Sequence, residues 1–247
     1  MAMNIGGEKH GKKARRRVLS YLILLVLAPA TVWLAWRFGD RKFYITSVLL
    51  IVYAMLPFFF VFEHKRPQAR ELVVLAVLCA IAVASRGAFV WAANFKPMAA
   101  IIMIAGMAFG AEAGFLVGAV SAFVSNFFFG QGIWTPWQMF AFAMAGFLAG
   151  ALFRRSAWQE NRVLLAVFGG AAILLVVGPL LDTCTLFTMT TEITPASAAA
   201  IYLSGLPVNA VHALATVLTL LLAAHPMLEK LRRIQTKYGL LEERHEV

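Results

Sequence analysis

Charged residues are scarce in this chain of 247 residues. They make up 14% of the sequence, hydrophobic residues make up 61%, and the mean hydropathy is +0.78. A soluble domain needs far more polar surface than this composition supplies. The composition therefore excludes a soluble globular enzyme and predicts an all-α, polytopic membrane protein, because a membrane span is built from about 20 apolar residues in a helix.

Cysteines and acidic residues are also few. The two cysteines, Cys79 and Cys184, lie in apolar runs, so they supply neither a disulfide framework nor a metal cluster. The 12 acidic residues are outnumbered by 22 Lys and Arg, for a net charge of +10. Most of these basic residues lie in tails and loops, where they orient helices in a membrane. We therefore expect these basic residues to lie at a membrane surface and not to bind nucleic acid.

The apolar runs predict eight transmembrane helices. Their approximate bounds are 18–37, 43–62, 71–90, 97–110, 113–129, 137–153, 162–181 and 198–224. Residues 97–129 form either two short helices or one helix of about 50 Å, which exceeds a hydrocarbon core of about 30 Å. The two-helix reading places 17 basic residues inside and 5 outside, whereas a single helix would reverse the second half. We therefore predict a break between Phe109 and Ala113.

This topology predicts a protein of the cell membrane with both termini in the cytoplasm. Residues 1–17 form a basic cytoplasmic tail, and residues 225–247 form a second one in which an amphipathic stretch suits an interfacial helix. The outer loop from Thr183 to Ser197 is long enough either to fold over a cavity as a lid or to serve as a plain connector.

An ATP-binding motif is missing. Residues 6–12, GGEKHGK, approach a phosphate-binding loop, but Lys13 stands where Ser or Thr should bind magnesium and no strand can precede the motif. Ionisable residues within the spans are rare as well, and only His212 lies deep. A lone His is more often a packing residue, so the sequence argues against an ion-driven pump and favours a binding subunit.

Small residues recur every four positions on two helices. Gly106, Gly110, Gly114 and Gly118 predict close approach of helix backbones. Ala76, Ala80 and Ala84 likewise leave one face of the third span without bulky side chains. That face could meet another helix of this chain or another subunit.

Polar and aromatic residues gather at the outer side of the predicted spans. They form three groups: Trp91, Asn94, Phe95 and Lys96; Asn126, Gln131, Trp134, Trp137 and Gln138; and Asp182, Tyr202 and Asn209. Tryptophans at helix ends ordinarily form an interfacial belt. Asn126 and Asn209 are costly within apolar spans unless each bonds to another helix or to a ligand, and both explanations stay open.

From Ala69 to Ala224 the chain resembles the S components of energy-coupling factor (ECF) vitamin transporters. The resemblance rests on the alanine face and on FKPMAAIIMIAGMAFGAEAGFLVGAVSAFVSNFFFG, residues 95–130, with its FG-x-x-x-G-x-x-x-G turn between two short helices. It implies a six-helix core, residues 69–224, that binds a vitamin at its outer side. Two additional helices, residues 18–62, precede this core and depart from the family's pattern.

The resemblance also implies partners and site positions. The S component would dock through Ala76, Ala80 and Ala84 on a transmembrane T subunit that is coupled to two cytoplasmic ABC ATPases, so the chain itself would need no cofactor and hold no metal. The implied substrate-binding residues are Arg86, Trp91, Asn94, Lys96, Asn126, Gln131, Trp134, Trp137, Gln138, Asp182, Tyr202 and Asn209.

The ligand suggested by the resemblance is a cobalamin or corrinoid precursor. The segment NFFFGQGIWTPWQM, residues 126–139, is similar to S components of that type, and riboflavin or a queuosine precursor remain open.

Two other classes of function are alternatives. An intramembrane lipid-modifying enzyme would need Asp182, Glu192 and His212 to meet, although their spacing matches no known motif. An ion-coupled small-molecule carrier would ordinarily show related halves, and this sequence shows none.

Overall fold

The computed structural model describes residues 18, 22–37, 49, 51–53, 56, 69–154, 156–190 and 192–239, and every regular element in this part of the chain is a helix. The helices are α1 Ala28–Arg37, α2 Ala69–Ala88, α3 Met98–Phe109, α4 Ala111–Phe129, α5 Thr135–Phe153, α6 Arg162–Ala172, α7 Gly178–Met189 and α8 Pro195–Tyr238. A π-helical turn, Ile23–Leu27, precedes α1, and a 3-10 turn, Ala157–Glu160, connects α5 to α6.

Five helical stretches in the described part are long and apolar enough to cross a membrane. They are α2, α4, α5, α8 and the continuous stretch Arg162–Met189, in which the π-helical turn Ile173–Val177 joins α6 to α7. The chain is therefore a helical, multi-pass membrane protein. The total of eight spans stays a prediction, because the basic tail 1–17 and most of the predicted span 43–62 lie outside the described residues.

The predicted break in the glycine-rich segment is present. Helix α3 ends at Phe109 and α4 begins at Ala111, with Gly110 between them at a φ of 100°. Only glycine adopts such a φ without strain. All twelve residues of α3 are buried, so this short helix forms the centre of the bundle.

Helices α3, α4 and α5 pack backbone against backbone. A Cβ atom added at Gly106 or Gly114 would lie 2.1 or 2.3 Å from the carbonyl oxygen of Gly146, and one added at Gly118 would lie 2.4 Å from that of Phe142. These distances leave no room for any side chain. The close approach predicted from the glycine repeat is therefore confirmed.

Most of the predicted outer loop from Thr183 to Ser197, for which a lid and a plain connector were the alternatives, is helical. The helical stretch that begins at Arg162 continues to Met189, past its predicted end at residue 181, and α8 begins at Pro195. Thr194 caps α8 by accepting a hydrogen bond from the Ser197 backbone N–H at 3.1 Å. Only five residues connect α7 to α8, which corrects the predicted loop of 183–197.

Helix α8 also runs farther than predicted. It spans 44 residues and passes both the expected boundary at residue 224 and Pro226. Leu228 and Leu231 are buried in the main core cluster, and Gln235 donates a hydrogen bond to the Ala108 carbonyl at 2.9 Å. The stretch after residue 224 therefore packs on the core as a continuation of α8, and it does not form a separate helix.

Candidate ligand-binding site

Five of the polar residues singled out from the sequence line one cavity at one end of the bundle. The cavity has a volume of about 260 Å³ and lies between the α2–α3 connection, α5, α7 and α8. Its lining residues are Arg86, Lys96, Met98, Gln138, Phe142, Leu181, Asp182, Thr185, Ile201, Ser204, Gly205, Val208, Asn209 and His212. Arg86, Lys96, Gln138, Asp182 and Asn209 thus come together although up to 123 positions separate them.

Arg86 and Asn126 form the centre of a hydrogen-bond network beside the cavity. Nη1 of Arg86 donates to Oγ of Ser125 at 2.7 Å and to Oδ1 of Asn126 at 3.0 Å. The guanidinium also lies 4.5 Å from the ring centre of Phe129, a favourable cation–π distance. These contacts fix the end of α2 against the end of α4.

The other end of the Asn126 amide connects α4 to α5. Its Nδ2 donates to Oε1 of Gln138 at 2.8 Å and to Oγ1 of Thr135 at 3.1 Å. Thr135 in turn donates to Oε1 of Gln131 at 2.8 Å. Asn126 therefore has helix partners on both sides, and it orients two residues that line the cavity, Arg86 and Gln138.

Asp182 and Asn209 pair across α7 and α8. Nδ2 of Asn209 donates to Oδ2 of Asp182 at 2.8 Å. Gly205 lets the carboxylate approach α8, because a Cβ atom at that position would lie 2.4 Å from Oδ1 of Asp182. This pair adds an acceptor and an amide to the wall of the cavity.

Lys96 lies in the α2–α3 connection, outside the helices. Burial lowers the pKa of its amine below the usual value, and the neighbouring Arg86 guanidinium lowers that pKa further. In the part of the chain that the structure describes, Lys96 makes no hydrogen bond or ion pair. A partly buried amine that remains charged here would gain from an acceptor supplied by a ligand.

His212 is a cavity residue that the sequence interpretation assigned to packing. It is 7% exposed, its ring centre lies 5.7 Å from that of Phe142, and its Nε2 has no hydrogen-bond partner among the described residues. The sequence feature that could have identified His212 as a cavity residue is its spacing from Asn209, because residues three positions apart share a helix face. Thr185 and Ser204 were also missed, since hydroxyls in apolar helices are too common to stand out.

The remaining predicted site residues lie elsewhere. Trp91 is 79% exposed, Trp134 is 45% exposed, and the fully buried Trp137 packs on Phe187 with ring centres 5.8 Å apart. Asn94 occupies a turn at a φ of 63°, a conformation that Asn tolerates. None of these four lines the cavity. Ala76, Ala80 and Ala84 lie exposed on α2, opposite its buried residues.

A second cavity lies on the other side of the α7–α8 contact. It has a volume of about 530 Å³ and is almost wholly apolar, and Pro29, Val32 and Trp33 of α1 form part of its wall. Tyr202 lines this cavity, and its hydroxyl lies 2.7 Å from Oγ1 of Thr183. Helix α1 therefore contacts the core close to α5 and α7.

The fold is that of a helical, multi-pass membrane protein with a polar cavity at one end of its bundle. Among the described residues, no group of three or more His, Cys, Asp and Glu side chains could hold a metal ion. A family described as "ECF-type riboflavin transporter, S component" matches residues 67–232, which is more than half of the chain. The chain belongs to this family of transporter components and is not an enzyme. Comparisons with curated proteins and with solved structures gave no significant match.

Proposed function

We propose that this chain is the S subunit of an ECF-type importer and that it binds riboflavin, or a flavin of similar size, in the polar cavity. The observation that carries the proposal is the convergence of Arg86, Gln138, Asp182 and Asn209 on one cavity within a chain of this family. Small-molecule sites combine an apolar wall with a few well-placed polar groups, and this cavity has both.

A flavin suits the chemistry of the cavity. Its ring has apolar edges and one end that carries carbonyl and imide groups, which the amides of Gln138 and Asn209 can bind as donors and acceptors. Phe142, Leu181 and Val208 offer the apolar surface that the ring needs.

A corrinoid is the alternative ligand, and it is several times larger than a flavin. The cavity of about 260 Å³ lies just below the range of about 300–1,000 Å³ that is usual for small-ligand sites. The segment 126–139, on which the corrinoid prediction was based, uses Asn126, Gln131 and Thr135 for internal hydrogen bonds. Size and bonding therefore favour the flavin over a corrinoid, and a queuosine precursor is a further alternative.

The proposed orientation places the cavity at the outer face of the membrane. Among the described residues 69–239, the cavity end holds only Arg86 and Lys96, whereas the opposite end holds the other basic residues: Arg70, Arg154, Arg162, Lys230, Arg232, Arg233 and Lys237. Basic residues mark the cytoplasmic side of a membrane protein. The substrate would enter from outside, and the C-terminus would lie in the cytoplasm together with the N-terminus.

The proposed partners are a transmembrane T subunit and two cytoplasmic ABC ATPases. The exposed alanine face of α2, formed by Ala76, Ala80 and Ala84, is the proposed docking surface, because small side chains let another helix approach closely. ATP would be used by the partner subunits, and this chain would supply ligand recognition.

Ligand binding by the purified chain tests the proposal. Titration of riboflavin should quench flavin fluorescence in a saturable, one-site manner, whereas cobalamin and a queuosine precursor should not compete. Asn209→Leu should weaken riboflavin binding about tenfold or more, because one buried ligand hydrogen bond contributes about that factor. Gln131→Leu, which changes an exposed amide outside the cavity, is the matched control. Binding of cobalamin without binding of riboflavin would show that the proposed ligand is wrong. Uptake by the chain alone, driven by an ion gradient, would refute the role as a subunit of an ATP-driven importer.

A further inference from the structure

The two cations of the polar cavity have few partners of their own. Lys96 makes no hydrogen bond or ion pair with any described residue. Arg86 uses Nη1 for Ser125 and Asn126, while its Nε and Nη2 have no hydrogen-bond partner in the described part of the chain. Both cations therefore keep donors available to a molecule in the cavity.

The cavity contains too little negative charge to balance them. Asp182 is the one acidic residue among its lining residues, and its Oδ2 accepts a hydrogen bond from Asn209 at 2.8 Å. No described ion pair links Asp182 to Arg86 or Lys96. Partly buried cations without a counter-ion cost free energy, and an anionic ligand would remove that cost.

Two further features of the cavity favour an acceptor-rich ligand. His212 is more than nine-tenths buried, lines the cavity, and has an unpartnered Nε2 that can act as a donor in one neutral tautomer. Helix α3 begins beside Lys96 with no side-chain cap, and its first residue, Met98, also lines the cavity. Free backbone N–H groups at a helix start attract anions.

We propose that the bound vitamin carries a phosphate monoester, held by Arg86 and Lys96 with Nε2 of His212 as an additional donor. This inference rests on the proposed function and narrows it to phosphorylated flavins, of which flavin mononucleotide is the simplest. A phosphate monoester carries close to two negative charges at neutral pH and three terminal acceptor oxygens, so it matches two cations and a third donor. A neutral vitamin would leave both cations unbalanced.

Riboflavin and flavin mononucleotide form a matched pair of probes, because they differ only in the phosphate. We expect the purified chain to bind flavin mononucleotide about tenfold or more tightly than riboflavin, since one charge-assisted hydrogen bond contributes at least that factor. Lys96→Gln should remove most of this difference between the two affinities, because the neutral amide cannot form a charge-assisted hydrogen bond with the phosphate. Lys96→Arg should retain the preference.

Lys230→Gln is the control, because it removes an exposed cation at the opposite end of the bundle, and the preference for the phosphate should be unchanged. Equal affinity for the two flavins, or a preference that survives Lys96→Gln, overturns the inference and leaves the proposed function standing. Binding of neither flavin overturns the proposed function and the inference together. If Lys96→Gln fails to fold, the ratio of the two affinities in the unmodified chain decides the matter.

Discussion

Asn126 illustrates what can be learned from one polar residue in an apolar helix. Its position predicts that the amide has a buried partner, because lipid supplies none. The structure shows it 1% exposed and bonded to Arg86, Thr135 and Gln138. The partners themselves could not be predicted, since Arg86 lies 40 positions away and helix packing alone brings it near. The cavity position of His212 could not be predicted for the same reason, because only helix packing brings it near Arg86 and Lys96.

Replacing Asn126 should loosen the end of the bundle that holds the cavity. Asn126→Leu removes three side-chain hydrogen bonds and leaves Nη1 of Arg86 with one partner, so we expect a loss of about 2 kcal/mol of stability. Riboflavin affinity should fall as well, because Arg86 and Gln138 lose their common anchor.

Thermal unfolding in detergent, with and without riboflavin, measures both effects. Gln131→Ala is the control, since Gln131 belongs to the same network at its exposed end and should cost under about 0.5 kcal/mol. Equal destabilisation by the two variants would show that the buried amide is not the centre of the network.

At the scale of helices, the boundary in the glycine-rich segment was predicted correctly, whereas the boundary in the threonine-containing segment was not. A break near Gly110 between two short helices was predicted correctly, because membrane thickness and charge both required one. Thr183, Thr185 and Thr188 fall in the predicted loop 183–197, yet they belong to α7. Their hydroxyls donate to the carbonyls four residues earlier, as Thr185 does to Leu181 at 3.1 Å and Thr188 to Cys184 at 2.9 Å. A hydroxyl satisfied within its own helix needs no water.

The close packing of α3, α4 and α5 makes a single methyl group costly. A Cβ atom at Gly146 would lie 2.2 Å from the Gly114 carbonyl oxygen, and relief requires movement of backbone. Gly146→Ala should therefore destabilise the protein by about 3 kcal/mol and lower the yield of folded protein.

Gly87→Ala is the matched control, because it adds the same methyl group to a helix where the nearest atom of Phe129 is 3.8 Å away. It should be neutral or slightly stabilising, since alanine is the better helix former. Detergent thermal unfolding compares the two variants. If Gly146→Ala proved as stable as Gly87→Ala, the backbones of α4 and α5 would not be in close contact at Gly146.

The two ends of the helical core differ in the groups they hold. The proposed recognition groups lie at one end. At the other end, Gln235 of α8 and Gln159 of the 3-10 turn donate to carbonyls in the last turn of α3 at 2.9 Å each. Such bonds satisfy groups that a helix end leaves open. The extension of α8 could not be predicted from sequence, because Pro226 ordinarily ends a helix and these partner carbonyls lie more than 50 positions away. The alanine face of α2 lies along the side of the bundle.

This separation predicts that docking and ligand binding can be uncoupled. In Ala80→Trp, the indole would project from the exposed face of α2 and block close approach of a partner helix, while the cavity beyond Arg86 would stay intact. We expect unchanged riboflavin affinity in the purified variant, together with loss of copurification with the T subunit and ATPases and loss of uptake in cells.

Ala151→Trp, an equally bulky change at an exposed position of α5, should leave assembly intact, whereas Ala82→Trp should unfold the core because Ala82 is fully buried. Normal assembly of Ala80→Trp would move the docking surface away from α2, and loss of ligand binding in that variant would show that α2 couples the two functions.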